Sequence, residues 1–391
     1  MSKTPLCILG LVVTILVSLG LVVLASASMP NGLRLHGDQY YFFNRQLIYL
    51  GAAIIVGAAA ALFDYHRWRD QPVLTGIFFG LVVALLAAVF FFPKVNGSWR
   101  WIKLGSLRLQ PSEFAKLLSV IATAVILDLA RFNVTKFVRG ALMPAISIGI
   151  LAGLVLLEPD FGSVMVIATA GALMMWLAGT RVVHLFLLGV PGAALVLFKV
   201  ATNANRMARI FAFLGTGPSA GPGAVTDEAA ARAAYQAEQA GIAISRGGLW
   251  GAGKIGSSLQ KLLYLPEAHT DFIFAVGAEE WGLFFSILVV ILFAALFITA
   301  IYIAAKAQDR FGRYLALGMG YILFFQAFFN LGVVCEALPT KGIALPFFSY
   351  GGTNLLSAAF AIGTIMSVAI HTSEDRNSAR VVSVDLPRKG R

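Results

Sequence analysis

Long apolar runs without charged residues recur along the whole chain and are separated by shorter polar segments. Each run is close to the ~20 residues that an α-helix needs to cross a ~30 Å hydrocarbon layer. We therefore expect an all-α integral membrane protein, a single polytopic domain over residues 1–391, with both termini on the same side of the membrane. The pattern predicts ten transmembrane helices, at residues 6–27, 46–63, 73–92, 113–130, 141–157, 163–179, 184–200, 279–304, 314–335 and 354–371.

The composition excludes a soluble or disordered chain. Hydrophobic residues make up 59% of the sequence and charged residues 13%, with a mean hydropathy of +0.82, whereas soluble domains carry roughly 25% charged residues. Ala25-Ser26-Ala27 resembles a signal-peptide cleavage site at the end of the first run. Because that run exceeds the about 7–15 apolar residues of a signal core and only Lys3 precedes it, we expect a retained helix.

The distribution of basic residues orients the helices. Lys and Arg are about twice as frequent in the short loops on one side of the predicted bundle as on the other, which places the richer side and both termini in the cytoplasm. Residues 372–391 then form a basic cytoplasmic tail. The net charge of +11 indicates contact with anionic lipid head groups and not with nucleic acid, because the basic residues are scattered between membrane spans.

Two features depart from this regular pattern. Helices seven and eight are separated by a large extracytoplasmic loop, residues 201–270, in which the Ala-rich stretch from Asp227 to Ala243 favours a helix. In addition, one short outer loop carries four cations against the charge rule, which indicates an anionic ligand at the outer face: Lys94, Arg100, Lys103 and Arg108.

Charged residues near membrane depth are costly and mark candidate functional sites. Nearly all of them lie toward the predicted outer ends of their helices, so we expect a site in the outer leaflet and not a proton path through the bilayer; Asp128 is the exception. The set consists of Glu113, Lys116, Asp128, Glu158, Asp160, Asp271, Glu279, Glu280 and Glu336.

The densest cluster of proton-accepting groups is Glu267, His269 and Asp271, directly before a helical run that starts at Phe272. A carboxylate partly shielded from water at a helix start suits a general base. The alternative is that Thr270 or Asp271 only caps the helix, since both residue types cap well.

Three further segments admit a structural and a functional interpretation. Residues 96–105 alternate aromatic and cationic side chains, as an interfacial belt also does. Glu113 and Lys116, three residues apart, favour a structural ion pair. In residues 338–354, Lys341 and several glycines interrupt the apolar pattern; such backbone either lines a polar cavity, where its amides and Lys341 bind phosphate, or forms a simple re-entrant turn.

Taken in order, these segments resemble the SEDS family (shape, elongation, division and sporulation) of peptidoglycan glycosyltransferases, over nearly the whole chain. The stretch Pro339-Thr340-Lys341-Gly342 is more similar to division and sporulation members than to elongation members. Departures from the family pattern occur at Leu263, Arg246, Trp281 and Thr353-Asn354. The matching segments are Gly97–Lys103, Gln110–Lys116, Glu158–Gly162, Arg206–Ile210, Gly247–Asp271, Gln326–Asn330 and Leu338–Gly352.

The resemblance implies that the protein polymerises lipid II into glycan strands at the outer face of the bacterial cytoplasmic membrane, for septal synthesis in division. It implies Asp271 as the general base and Glu113, Lys116 and Glu279 as supporting residues. The implied substrate-binding residues are Arg100, Lys103, Arg206, Arg209, Lys261, Glu267, His269, Lys341, Ser349, Gly351 and Gly352. No metal-ligand cluster is visible and no cofactor is certain, although a divalent cation (Mg²⁺ or Mn²⁺) is left open.

The implied partners are lipid II, a class B penicillin-binding transpeptidase that contacts the bundle through membrane helices, and other membrane proteins of the division complex. Two alternatives remain at this stage, a lipid II flippase and a non-catalytic scaffold for the transpeptidase. A flippase requires polar residues in the inner half of the bundle, where the sequence offers little beyond Asp128. The sequence therefore favours a polymerase.

Overall fold

The structure is a computed structural model. It describes residues 4–94, 98–105, 107–130, 133–202, 207, 210, 228–252, 268–339 and 342–384. The helices are α1 (Thr4–His36), α2 (Tyr41–Leu62), α3 (His66–Asp70), α4 (Pro72–Ala88), α5 (Pro111–Leu129), α6 (Met143–Leu157), α7 (Phe161–Ala178), α8 (Val182–Ala201), α9 (Glu228–Gly247), α10 (Ile273–Lys306), α11 (Arg310–Val334) and α12 (Gly352–Val384).

Four short elements complete the described chain. A 3₁₀ turn, Val89–Phe91, extends α4, and a π-helical turn, Phe137–Leu142, leads into α6. Strands β1 (Ile102–Leu104) and β2 (Leu107–Leu109) form an antiparallel hairpin in which Lys103 lies opposite Arg108.

The prediction of an all-α membrane protein is confirmed. In the part of the chain that the structure describes, nine helices are long and apolar enough to cross a membrane. Helices occupy all ten predicted positions; the position outside those nine is α5, which contains Glu113, Lys116 and Asp128. That α5 crosses the membrane stays a prediction.

Several predicted boundaries are wrong, because helices continue past the end of the apolar run. Helix α1 ends only at Gly37, whose positive φ of 69° terminates it. Helix α12 continues through Val384 into the predicted tail, since neither Gly nor Pro interrupts it there. Helix α10 begins at Ile273, which is six residues before the predicted transmembrane boundary and agrees with the helical run expected from Phe272.

Helix α5 lies inside the bundle, in contact with α4, α6, α7, α11 and α12. Sixteen of its nineteen residues are buried, including Glu113, Lys116 and Asp128. Helix α8, in contrast, has no buried residue. The charged side chains of α5 are therefore surrounded by protein and not by lipid, which is the environment that polar groups require at membrane depth.

In the large loop, the predicted helix is confirmed as α9. The chain after α9 is fixed on a kink in α10 at Gly282, whose φ is 74°. The amide of Leu283 donates to the carbonyl of Gly248 at 2.9 Å, and the amide of Ala252 donates to the carbonyl of Glu279 at 2.8 Å. Most of the rest of the predicted loop, and residues 385–391 of the predicted tail, lie outside the described residues.

Helices α2 and α12 pack closely through small residues. A Cβ atom on Gly363 would overlap the carbonyl oxygen of Gly57, and a Cβ atom on Gly57 would lie 3.2 Å from the carbonyl oxygen of Ala359. Small residues let membrane helices approach to backbone contact, where van der Waals packing replaces the hydrophobic driving force.

We expect Gly363→Ala to lower the free energy of unfolding by about 1–3 kcal/mol, because the added methyl group overpacks this contact. Gly51→Ala is the matched control on α2, since a Cβ atom there meets nothing within 4 Å. Thermal unfolding midpoints in one detergent compare the two variants. Equal midpoints would contradict the close contact between α2 and α12.

Candidate functional site

Asp271 lies in the turn immediately before α10. Phe272 occupies the N-cap position of that helix, so the interpretation of Thr270 or Asp271 as the capping residue is wrong. Asp271 is half-buried, whereas Ala268 and Phe272 on either side of it are almost fully buried. The residue is therefore at the boundary between the packed bundle and its surface.

Two polar side chains hold this turn against the segment from residue 342 to 351. The hydroxyl of Ser349 donates to the carbonyl of Thr270 at 2.7 Å and accepts from the amide of Leu345 at 2.8 Å. The side-chain amide of Asn330, on α11, donates to the carbonyls of Asp271 at 2.8 Å and Ile343 at 2.7 Å. These bonds fix the backbone of Asp271 from both sides.

The role of Ser349 differs from the one expected. It is 1% exposed, and its hydroxyl bonds to two backbone groups. This geometry fits a positioning residue better than the substrate-binding residue that the sequence suggested.

Gly342 keeps the carboxylate of Asp271 accessible. It is exposed, and a Cβ atom at this position would lie 2.5 Å from Oδ2 of Asp271. Any larger residue would cover that oxygen. The absence of a side chain therefore makes room for the carboxylate at the exposed edge of this segment.

His269 is half-buried among aromatic rings beside Asp271. Its ring centroid lies 4.8 Å from that of Phe42 and 5.9 Å from that of Tyr350, and Nδ1 lies 3.3 Å from the amide nitrogen of Asn31. Burial, followed by the proximity of Tyr49, raises the pKa of Tyr350 to about 12, so its hydroxyl keeps its proton near neutral pH.

The glycines after Tyr350 also have structural contacts. The amide of Gly351 donates to Oε1 of Gln46 at 3.3 Å, and a Cβ atom on Gly352 would lie 2.8 Å from the ring of Tyr49. Both predicted substrate-binding glycines thus bring the start of α12 against α2.

The starts of α5 and α7 join this site through Asp160. Its carboxylate accepts from the hydroxyls of Ser112 at 3.0 Å and Ser163 at 2.8 Å, and from the side-chain amide of Gln110 at 3.3 Å. A Cβ atom on the following Gly162 would lie 2.8 Å from the side chain of Ile343. The first turn of α7 therefore packs on the same segment that holds Asp271.

Four helix N-termini meet at this end of the bundle, those of α5, α7, α10 and α12. The link between α5 and α12 is direct, because the amide of Gln110 donates to the hydroxyl of Thr353 at 3.3 Å. Helix N-termini carry a partial positive charge of roughly half an elementary unit each. The arrangement therefore favours an anionic ligand.

Glu158 lies in the turn between α6 and α7 and is 0% exposed. No hydrogen-bond partner of its carboxylate is found among the described residues. Burial, with repulsion from Asp160 as a second cause, raises the pKa of Glu158 to about 9, so it is protonated near neutral pH. Arg100 donates to the adjacent carbonyl of Pro159. The hairpin loop is thus anchored to this turn.

The three residues expected to support the site, Glu113, Lys116 and Glu279, are buried. Lys116 and Glu113 form an ion pair at 2.7 Å, and the hydroxyl of Ser357, on α12, donates to Glu113 Oε2 at 2.8 Å. Glu279 is 2% exposed. The ion pair expected from the spacing of Glu113 and Lys116 is present, and it links α5 to α12.

The structure describes only some of the remaining candidate residues. Lys103 is exposed on the hairpin, opposite the like-charged Arg108. Five candidates lie outside the described residues: Arg206, Arg209, Lys261, Glu267 and Lys341. Within the described ranges, no group of three His, Cys, Asp or Glu side chains is arranged to hold a metal ion.

Sequence reasoning missed the positioning roles of Asn330 and Gln46. Both are almost fully buried, at 1% exposed, in apolar helices. An amide side chain within an apolar helix was the available signal, because such groups need a partner inside the protein.

A family model and curated relatives match most of this chain. The family model described as "Cell cycle protein", FTSW_RODA_SPOVE, matches residues 7–374. A protein of Coxiella burnetii named "Probable peptidoglycan glycosyltransferase FtsW" is 39% identical over 361 residues, which cover 91% of this chain and 94% of that protein. A protein of the same name from Thioalkalivibrio sulfidiphilus is 39% identical over 378 residues, covering 94% and 90%.

Solved structures share the fold. A chain of a peptidoglycan synthase complex, solved to address the coordination of polymerization and crosslinking, is similar with a TM-score of 0.73 and 26% identity, covering 94% of this chain and 98% of that one. The Thermus thermophilus rod shape determining protein RodA has a TM-score of 0.65 at 24% identity, covering 93% and 96%. Because the family model matches residues 7–374, nearly the whole chain, this chain belongs to the FtsW/RodA/SpoVE family of cell cycle proteins.

Proposed function

We propose that this multi-pass inner-membrane protein is a peptidoglycan glycosyltransferase that polymerises lipid II at the outer face of the membrane, with both termini in the cytoplasm. One observation carries the proposal: the half-buried carboxylate of Asp271 lies beside exposed Gly342, where four helix N-termini meet. A base and an anion-binding surface are thereby adjacent.

In this proposal Asp271 acts on the acceptor sugar. Its carboxylate removes the proton of the 4-hydroxyl as that oxygen attacks C1 of the donor sugar with inversion. The new bond joins the acceptor oxygen to C1, the bond between C1 and the pyrophosphate oxygen breaks, and undecaprenyl pyrophosphate leaves with the electron pair. Asn330 and Ser349 donate hydrogen bonds to the carbonyls of Asp271 and Thr270. These bonds hold the backbone from which the carboxylate extends.

The leaving pyrophosphate is stabilised by positive charge that is in place before the reaction. The N-termini of α5, α7, α10 and α12 supply partial charges, and Lys103 and Arg108 on the exposed hairpin supply full ones. Arg206, Arg209 and Lys341 are proposed to add to them. The described residues offer no cluster for the divalent cation that the sequence left open, and no step depends on it.

We further propose that the protein acts in septal synthesis, together with a class B penicillin-binding transpeptidase that packs its membrane helix against this bundle, and with other membrane proteins of the division complex. A flippase and a scaffold are the competing functions. Neither function requires a general base at Asp271, so removing the charge of Asp271 distinguishes a polymerase from both of them.

We expect Asp271→Asn to reduce lipid II polymerisation by roughly 10²- to 10⁴-fold, the usual contribution of a positioned general base. The measurement is the yield of glycan from labelled lipid II with purified protein and its transpeptidase. Asp38→Asn is the matched control, because Asp38 is an exposed carboxylate in the α1–α2 turn. Retained yield in Asp271→Asn would reject the base, whereas no glycan from the native protein, with transpeptidase binding intact, would favour a scaffold.

Gly342→Ala tests the access to Asp271 without changing any charge. We expect a large loss of polymerisation with an unfolding midpoint close to that of the native protein, because the added methyl group meets the carboxylate and not the core. Gly149→Ala is the control for an added methyl group, because its Cβ atom meets nothing within 4 Å and its φ, like that of Gly342, is not positive. Equal activities of the two variants would contradict a ligand space beside Gly342.

Asp160 and Glu158 are close in sequence, but we expect their substitution by amides to affect stability differently. Asp160→Asn should lower the free energy of unfolding by about 2 kcal/mol, since a carboxylate that accepts several hydrogen bonds is lost. Glu158→Gln should change the unfolding midpoint little, because Gln resembles the protonated acid. Thermal unfolding in detergent at pH 7 compares the variants, and equal destabilisation would contradict these protonation states.

A further inference from the structure

A cavity of about 490 Å³ lies at the end of the bundle opposite to Asp271. It is an open groove lined by the last turn of α5, the first turns of α6 and the middle of α4. Nearly all of its lining is apolar; Arg139 and Ser147 are the exceptions, and the hydroxyl of Ser147 donates to the carbonyl of Pro144. The volume is within the ~300–1,000 Å³ of ordinary ligand sites.

The cavity opens toward the membrane-facing surface. Leu129 is 75% exposed and Ile146 is 52% exposed, although both contribute to its lining. Apolar side chains that are exposed on a membrane helix face hydrocarbon and not water. A ligand of this cavity therefore has an apolar body that enters from the bilayer.

Arg139 gives one end of the cavity a positive charge. It is exposed, and within the described ranges no ion pair joins it to a carboxylate. It lies in the π-helical turn that precedes α6. The hydroxyl of Thr180 donates to the carbonyl of Gly140 at 2.8 Å, and Gly140 packs directly on the backbone of Val134. The turn that carries Arg139 is therefore fixed.

The distance from the charge to the far wall of the cavity matches one leaflet. Arg139 precedes Ile150 by eleven residues, which corresponds to about 16 Å along an α-helix and is close to half of a ~30 Å hydrocarbon layer. A phosphate bound at Arg139 would thus be at head-group level while an attached chain extends along the cavity.

We propose that this cavity binds an anionic phospholipid of the leaflet opposite to the catalytic site, with its phosphate on Arg139 and one acyl chain between α4, α5 and α6. In the proposed orientation this is the cytoplasmic leaflet. A guanidinium and a phosphate form paired, charge-assisted hydrogen bonds, which a zwitterionic lipid satisfies less well because its own ammonium group competes for the phosphate.

The test uses the full-length protein in nanodiscs of phosphatidylglycerol and phosphatidylcholine, with the lipids that remain bound after transfer to detergent counted by native mass spectrometry. We expect Arg139→Gln to lower retained phosphatidylglycerol at least threefold. Arg181→Gln is the matched control, since Arg181 is an exposed arginine at the same end, outside the cavity lining. It should retain as much as the native protein.

A second variant tests the acyl-chain site independently of charge. Ile146→Trp should fill the cavity and lower retention, whereas Val190→Trp, on an exposed position of α8, should not. Equal retention in Arg139→Gln and Arg181→Gln would overturn the proposal. So would equal retention of phosphatidylcholine and phosphatidylglycerol by the native protein, or displacement of the lipid by a polyprenyl phosphate.

Discussion

Irregular backbone at the edge of a membrane is stable only when its peptide groups find partners inside the protein. In this protein that requirement falls on the turn before α10 and on residues 342–351. Asn330 and Ser349 supply the partners, each bonding to the turn and to the facing segment. The backbone position of Asp271 is a consequence, because it cannot shift without breaking the hydrogen bonds that Asn330 and Ser349 make.

The same constraint explains where the other charges lie. Helix α5 carries a buried ion pair because neighbouring helices surround it, and Glu113 of that pair accepts a hydrogen bond from Ser357 of α12. Asp160 accepts hydrogen bonds from the first turns of α5 and α7. The polar groups of this end thus hold together the helices whose positive ends face the proposed pyrophosphate. Stability and anion binding depend on the same contacts.

The positions of the helices could be predicted from the sequence, because a run of apolar residues long enough to cross the bilayer has few other structures available. The Glu113–Lys116 ion pair could be predicted too, since helical spacing alone brings the two side chains together. The candidate base was identified from local chemistry and family resemblance. The end of α12 could not be predicted, because a helix ends where its backbone bonding stops and not where hydrophobicity does.

The role of Ser349 also lay beyond the sequence. A hydroxyl shortly before two glycines is equally compatible with a ligand contact and with a hydrogen bond to the backbone. Only the packing of the neighbouring Phe347 against Gly20 of α1 shows that this segment lies inside the bundle. For Asn330 the amide was visible in the sequence, but its two carbonyl partners lie 59 and 13 residues away along the chain.

The central claim is that the carboxylate of Asp271 takes the proton from the attacking sugar hydroxyl. Chemical rescue tests it most directly: lipid II turnover by Asp271→Ala is measured with and without added formate, and Ser349→Ala is measured in parallel. The account predicts that formate restores part of the turnover of Asp271→Ala, because a small carboxylate can enter the space beside Gly342, and leaves Ser349→Ala unchanged. Native turnover by Asp271→Ala in the absence of formate would contradict it.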